Sequence, residues 1–240
     1  MTTGPGHPLV VCDLGETLVR GPALGPAARL TQRLGLPSDP GLSTVLMTTQ
    51  LEQPAELAAL LAQRYAISSV RAREAAGELW NSQLENAQPV DGALDALRAL
   101  HAAGIRLALL SNIWAPYNQA VRRWFGPLFD AAIPDELQCL SYREGLAKPA
   151  PELFATLLVR AGTPAAQAIM VGDSLSRDIL PASRLGMRTV LIAGQPAASC
   201  ARAADRTIAS AAELTVELVE ELCSAEASAT APREVLRVLR

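Results

Sequence analysis

The run PLVVC, residues 8–12, is apolar and β-branched and stops at Asp13. Its length and composition predict a strand buried on both faces, as strands of parallel sheets are. From about residue 20 to residue 88 the pattern changes. AARLTQRLG, PAELAALLAQRY and SSVRAREAAGELWNSQLENA carry apolar residues at helical spacing. Pro54 suits a first helical turn, and Ser68 or Ser69 an N-cap. No convincing strand interrupts this stretch, which reads as an all-helical insert.

After Pro89 strand and helix signals alternate. DGALDALRALHAAG predicts a helix stopped by Gly104, IRLALL (105–110) a strand ending at Ser111, and NQAVRRWF a helix. AAIP and ELQCLS are short strand candidates. APELFATLLVRAG predicts a helix opened by Pro149 and Pro151 and closed by Gly162, and AIMV (168–171) a strand ending at Gly172-Asp173. SRDILPASRLG reads as a helix broken or kinked near Pro181, MRTVLI as a strand, and ADRTIASAAELTVELVEEL as a last short strand and helix. Such alternation predicts an α/β fold, a parallel sheet covered on both faces. The expected division is a catalytic core over 1–19 and 89–224, a helical unit over 20–88, and a loosely docked or mobile tail over 225–240.

Composition narrows the function classes. With 240 residues, half of them apolar, the chain can bury a large core. The net charge of −3 gives no reason to expect a nucleic acid or an anionic membrane as partner. The N-terminus MTTGPGH does not have the pattern of a signal peptide, and no apolar run approaches the ~20 residues a membrane span needs. Cys12, Cys139, Cys200 and Cys223 are scattered without paired spacing, which suits a reducing cytoplasm. The only histidines are His7 and His101, so a three-histidine metal site is excluded, and His101, at a predicted helix end, reads as solvated or as a cap. Of 21 basic residues Lys148 is the only lysine. An ammonium group is a compact point charge, a role the broad guanidinium fork does not fill.

Asp13, Ser111 and Asp173 each fall at the C-terminal end of a predicted strand, where open parallel sheets gather their ligand sites. A carboxylate such as Asp13 can attack phosphorus, provided positive charge offsets the repulsion between two anions. Read singly, Ser111 also fits a cap on the following segment, and Asp178 an ordinary helix acid pairing with Arg177 or Arg184.

Together, DLGETL (13–18), LLSN (109–112), LAKPAPELF (146–154) and VGDSLSRDI (171–179) resemble the ordered motifs of the haloacid dehalogenase-like hydrolases, in the branch with a helical cap inserted after the first motif. The resemblance covers nearly all of residues 8–220. It implies a doubly wound, Rossmann-like core and a cytoplasmic phosphatase acting on a small phosphorylated metabolite. It further implies Mg²⁺ held by Asp13, the backbone carbonyl of Gly15 and Asp173, with Asp178 behind them. Ser111 and the backbone amide of Asn112 would donate to phosphate oxygens, and Lys148 would neutralise both the phosphate and Asp13.

The sequence departs from the family pattern at Gly15, where most phosphatases of the family carry a second Asp that protonates the leaving group. A positioned acid is worth roughly 10²–10⁴ in rate. Glu16 is adjacent, but consecutive residues of an extended loop point apart, so it is not expected to substitute. Three readings stay open: a phosphatase that is slow or selective for leaving groups needing little protonation; a metal-independent dehalogenase, against which the acids of VGDSLSRD count; and a phosphate- or metal-binding module without turnover. Phosphonate hydrolysis is set aside because residues 20–88 contain no lysine. Arg20, Arg29, Arg33, Arg64, Arg71 and Arg73 are candidate anion contacts in the cap, and Trp114 and Tyr117 fit either pocket lining or core packing.

Overall fold

The computed structural model describes residues 8–83, 87–194 and 203–224. The expectations for His7, Cys200 and the tail 225–240 lie outside the described residues.

Six strands form one parallel sheet: β1 (Leu9–Cys12), β4 (Arg106–Ser111), β5 (Gln138–Leu140), β6 (Ala168–Gly172), β7 (Arg188–Ile192) and β8 (Arg206–Ile208), in the order β5-β4-β1-β6-β7-β8. The chain builds from β1 outward to β5, then returns to the other side of β1 for β6. That reversal leaves a crevice at the C-terminal ends of β4, β1 and β6, where a ligand can reach the backbone. Helices α5 (Ala93–Ala102), α6 (Ala115–Ala132), α7 (Ser141–Glu144), α8 (Pro151–Ala161), α9 (Leu180–Arg184) and α10 (Val216–Ser224) accompany the sheet. The strands β1, β4 and β6 are almost wholly buried, as their continuous apolar runs demand.

Four helices precede β4's half of the sheet: α1 (Pro26–Arg33), α2 (Pro40–Thr48), α3 (Pro54–Tyr65) and α4 (Ser69–Gln83). Their apolar faces close a second hydrophobic cluster, from Leu30, Leu42, Leu46, Leu57 and Leu61 to Trp80, which Trp114 joins from the core side. Pro54 opens α3 behind the capping box of Gln53 and Glu56, and the Ser68 hydroxyl accepts from the Arg71 amide at the start of α4. The helix α2 carries no clear periodic signal in its sequence, PGLSTVLMT. It forms because Asp39 caps its first turn, accepting from the Leu42 amide at 3.1 Å, and because Leu42 and Leu46, four apart, are both buried.

Three expectations are corrected. The stretch 20–88 is not wholly helical at its edges: β2 (Val19–Arg20) pairs antiparallel with β3 (Gln88–Pro89), so the helical insert joins the core through a two-stranded tie. AAIP is not a strand; Ala131 and Ala132 end α6, which runs on through Gly126 and Pro127. Burial of Val121, Phe125 and Phe129 on one helical face outweighs the ~3 kcal/mol an interior proline costs. The loop after Asp13 is not extended: Glu16 adopts φ 54°, its amide donates to Val19 O at 2.8 Å, and Leu14 O accepts from both Leu18 and Val19.

Candidate active site

Asp13 follows β1 directly and is anchored by its amide, which donates to Val171 O of β6 at 2.9 Å. Lys148 lies between the carboxylates of Asp13 and Asp178, its Nζ 2.8 Å from Asp13 Oδ1 and 2.5 Å from Asp178 Oδ1. Lys148 and Asp178 are buried, so the ion pairs form away from the screening of water. Removing either partner from such a pair leaves an uncompensated buried charge.

The position of Asp178 comes from an irregular turn. Between β6 and α9, residues Leu175–Ile179 wind as one π turn, in which the Asp178 and Ile179 amides both donate to Ser174 O. Pro181 lacks the N–H a regular helix would need at that point, which favours the widened turn. Asp178 then reaches back: its Oδ2 accepts from the Ser174 amide at 2.9 Å while Oδ1 meets Lys148. Gly172 makes this possible, because a Cβ there would stand 2.5 Å from Asp178 Cγ. The alternative of Asp178 as a solvated helix acid paired with Arg177 or Arg184 is excluded by its full burial.

Carboxylate oxygens of Asp13, Asp173 and Asp178 lie within 4.8 Å of one another. Burial, and then the charges of Asp13 and Asp178, push the Asp173 carboxyl up to about 6. Asp178 is also raised, by burial first, with Lys148 opposing. Asp173 Oδ1 is buried with no hydrogen-bond partner among the described residues. An all-oxygen cluster of negative charge with an orphaned buried acceptor fits a hard divalent cation. Cys12, next to Asp13, is not a competing nucleophile: burial and then Asp13 raise its thiol to about 12.

Ser111 ends β4 and is buried beside the same crevice. Asn112 has a part that its sequence did not disclose. Its side chain clasps the Lys148 main chain, Nδ2 donating to Lys148 O at 2.9 Å and Oδ1 accepting from Lys148 N at 2.7 Å. Ser141, which sequence reasoning missed, fastens the same loop: its hydroxyl accepts from Ile113 N and donates to Ile113 O. The signal for Gly172, a glycine in the last position of a strand, was present in the sequence; those for Asn112 and Ser141 were not, because both act across chain distances of 28 residues or more.

The position of Gly15 is open. An ideal Cβ there meets no atom within 4 Å, and the backbone is not left-handed. Glu16 is exposed. The Tyr117 hydroxyl is buried against Gly21 without a partner among the described residues, and burial and then the Glu16 charge raise it to about 12. Trp114 is packing: it meets Trp80 edge-on and donates to Gln83 Oε1 at 3.3 Å. Tyr117 packs against both hydrophobic clusters. His101 is exposed at the end of α5.

The arginines of the insert are engaged elsewhere. Arg33 pairs with Glu78 and Arg64 with Asp39, while Arg71 and Arg73 donate to the carbonyls of Leu34 and Ser69. Arg20 is exposed on β2. Arg29 donates to Ser82 through Nη2, and its Nη1 is buried without a partner among the described residues. It borders a cleft of about 330 Å³ between α1 and α4 that includes none of the three carboxylates.

The haloacid dehalogenase-like hydrolase family model matches residues 9–186. A ribulose-1,5-bisphosphate 5-phosphatase of Halopiger xanaduensis is 32% identical over 127 residues, 53% of this chain and 52% of that protein. A glyceraldehyde 3-phosphate phosphatase of Methanocaldococcus jannaschii is 33% identical over 107 residues, 44% of each chain. The match thus spans about half the length of these relatives. Among solved structures, CbbY of Rhodobacter sphaeroides in complex with phosphate aligns at TM-score 0.61 and 21% identity, over 90% of this chain and 100% of that one. A 2-haloacid dehalogenase of Pseudomonas syringae aligns at 0.60 and 23%, over 90% and 99%. At these identities the structural likeness establishes the fold and does not choose between the two chemistries.

Proposed function

The chain belongs to the haloacid dehalogenase-like hydrolases, and from that premise we propose that it is a magnesium-dependent phosphatase acting on a small phosphorylated metabolite through an aspartyl-phosphate at Asp13. One observation carries the reading: the chain's only lysine places its ammonium between Asp13 and Asp178, beside Asp173. The names of the matched relatives favour a sugar phosphate.

In the proposed reaction an Asp13 oxygen attacks phosphorus. The Asp13 O–P bond forms as the bond from phosphorus to the leaving oxygen breaks, and that oxygen departs with the electron pair. Lys148 offsets the charge of the phosphoryl oxygens and of Asp13, while Ser111 and the Asn112 amide donate to the phosphoryl oxygens. Water then attacks the phosphorus of the aspartyl-phosphate, the O–P bond to Asp13 breaks, and the carboxylate and inorganic phosphate are released. Asp13, the Gly15 carbonyl and Asp173 would hold a magnesium ion, which when bound would supply further positive charge at the phosphate. Asp178 keeps Lys148 in place. A dehalogenase would have no use for three clustered carboxylates, since halide departs without a cation to draw off negative charge.

The reading is tested with acetyl phosphate and p-nitrophenyl phosphate, with and without Mg²⁺. Magnesium-dependent phosphate release that Asp13→Asn abolishes is the expected result. Chloride release from 2-chloropropionate without metal would replace the reading by dehalogenation. Silence on every substrate with magnesium binding retained would leave a non-catalytic binding protein.

A further inference from the structure

We infer that the site is built for phosphate compounds whose leaving group departs without a proton, acyl phosphates above all and aryl or enol phosphates next, in preference to alkyl phosphate esters. The inference rests on the phosphatase reading above and names the substrate class of that same site.

It follows from an inventory of proton donors. When an alkyl phosphate is cleaved, the leaving oxygen is an alkoxide, which must be protonated as the bond breaks. A carboxylate leaving from an acyl phosphate is a stable anion as it stands. Asp13 is the nucleophile and has no proton to give. Asp173 binds a cation only when ionised. Lys148 is held in ion pairs between the carboxylates of Asp13 and Asp178. The remaining charge that acts on Asp173 is Arg177, and a guanidinium does not deprotonate.

Two groups stand at the margin of the loop, and neither is placed as an acid. Glu16 is solvent-exposed at a left-handed backbone position. The Tyr117 hydroxyl is closed in against Gly21. An ideal Cβ on Gly15 meets no atom of the described residues within 4 Å beyond its chain neighbours, and the backbone there is not left-handed. Among the described residues no proton donor stands in for a side chain at Gly15, where a Cβ has room. Within the small phosphorylated metabolites that the relatives' names favour, the inference selects those whose phosphate sits on an acyl, enol or aryl oxygen.

The test uses the full chain with Mg²⁺ and compares kcat/KM for acetyl phosphate, p-nitrophenyl phosphate, phenyl phosphate and glycerol 3-phosphate. Efficiency is expected to fall steeply as the leaving group becomes more basic. In Gly15→Asp, shown to be folded by circular dichroism, the ratio of glycerol 3-phosphate to acetyl phosphate turnover is expected to rise about 10²–10⁴-fold, the worth of a positioned acid. Glu16→Gln and Tyr117→Phe are expected to keep the steep dependence of the unaltered protein. A flat dependence in the unaltered protein would overturn the inference while leaving the phosphatase reading intact. Selective loss of alkyl phosphate turnover in Glu16→Gln or Tyr117→Phe would overturn it by identifying the donor. Failure of every variant on every substrate would instead overturn the phosphatase reading itself.

Discussion

Lys148 shows what a single residue decides here. In a chain whose other basic groups are arginines, it is the point charge buried between Asp13 and Asp178. A guanidinium fork could not occupy that space with the same contacts. Asp173 supplies a measurable consequence. Burial, and then the charges of Asp13 and Asp178, push its folded carboxyl up to about 6 from the ordinary aspartate value of 3.8. Without metal, the folded state therefore holds a proton that the unfolded chain has already released, and this group's contribution to stability falls as pH rises from about 4 to 6. A cation needs the ionised form. The rise in Tm on adding Mg²⁺ is thus expected to be large near pH ~7.5 and to fade by pH ~5. Differential scanning fluorimetry against pH checks this, and Asp173→Asn should remove the magnesium effect at every pH.

Among the elements, the junction from β6 through the π turn to α9 carries most of the site's precision. The sequence announced a break near Pro181, and the turn does lose regular helical bonding just before it. The break itself is what turns Asp178 inward to Ser174 and Lys148. Gly172 is therefore a packing requirement. Gly172→Ala would drive a Cβ into the Asp178 carboxyl. Overpacking of this kind costs about 1–3 kcal/mol. Denaturant unfolding should show a loss of that order together with a fall in kcat, since the displaced carboxylate no longer holds Lys148. The helices α2 and α6 teach the converse point. One lacked a clear periodic pattern and formed through a cap and two leucines; the other carried an interior proline and continued because its buried face repaid it.

At the level of the whole molecule, the helical insert meets the sheet through the β2–β3 tie and through Trp114 and Tyr117 at the start of α6. Gly21 follows the tie immediately, and a Cβ there would lie 2.7 Å from the Tyr117 hydroxyl. Gly21→Ala is expected to lower kcat/KM by spreading the insert from the core. Adding Tyr117→Phe should restore part of it, because the 2.7 Å contact goes with the hydroxyl and leaves the ring carbon Cζ at 3.2 Å. Tyr117→Phe alone is expected to be neutral or slightly stabilising, within about 1 kcal/mol, since it removes a buried donor that has no partner. A double-mutant cycle on Tm and kcat/KM measures the coupling, and full additivity would show that the two residues do not meet.

The sequence by itself determined the parallel sheet, the helical insert, and the location of Asp13, Ser111 and Asp173 at strand ends, because hydrophobic periodicity and strand-terminating polar residues are local signals. It also showed a glycine at residue 15, where the family resemblance implies an acid. Tertiary structure alone decided that Lys148 and Asp178, 30 residues apart, touch, and that Asn112 and Ser141 brace the loops around them. It alone decided that Glu16 turns through a left-handed backbone into solvent and that a Cβ at Gly15 has room among the described residues. These outcomes depend on how separate strands align and on where packed atoms leave room, and neither is written in the neighbourhood of any one residue.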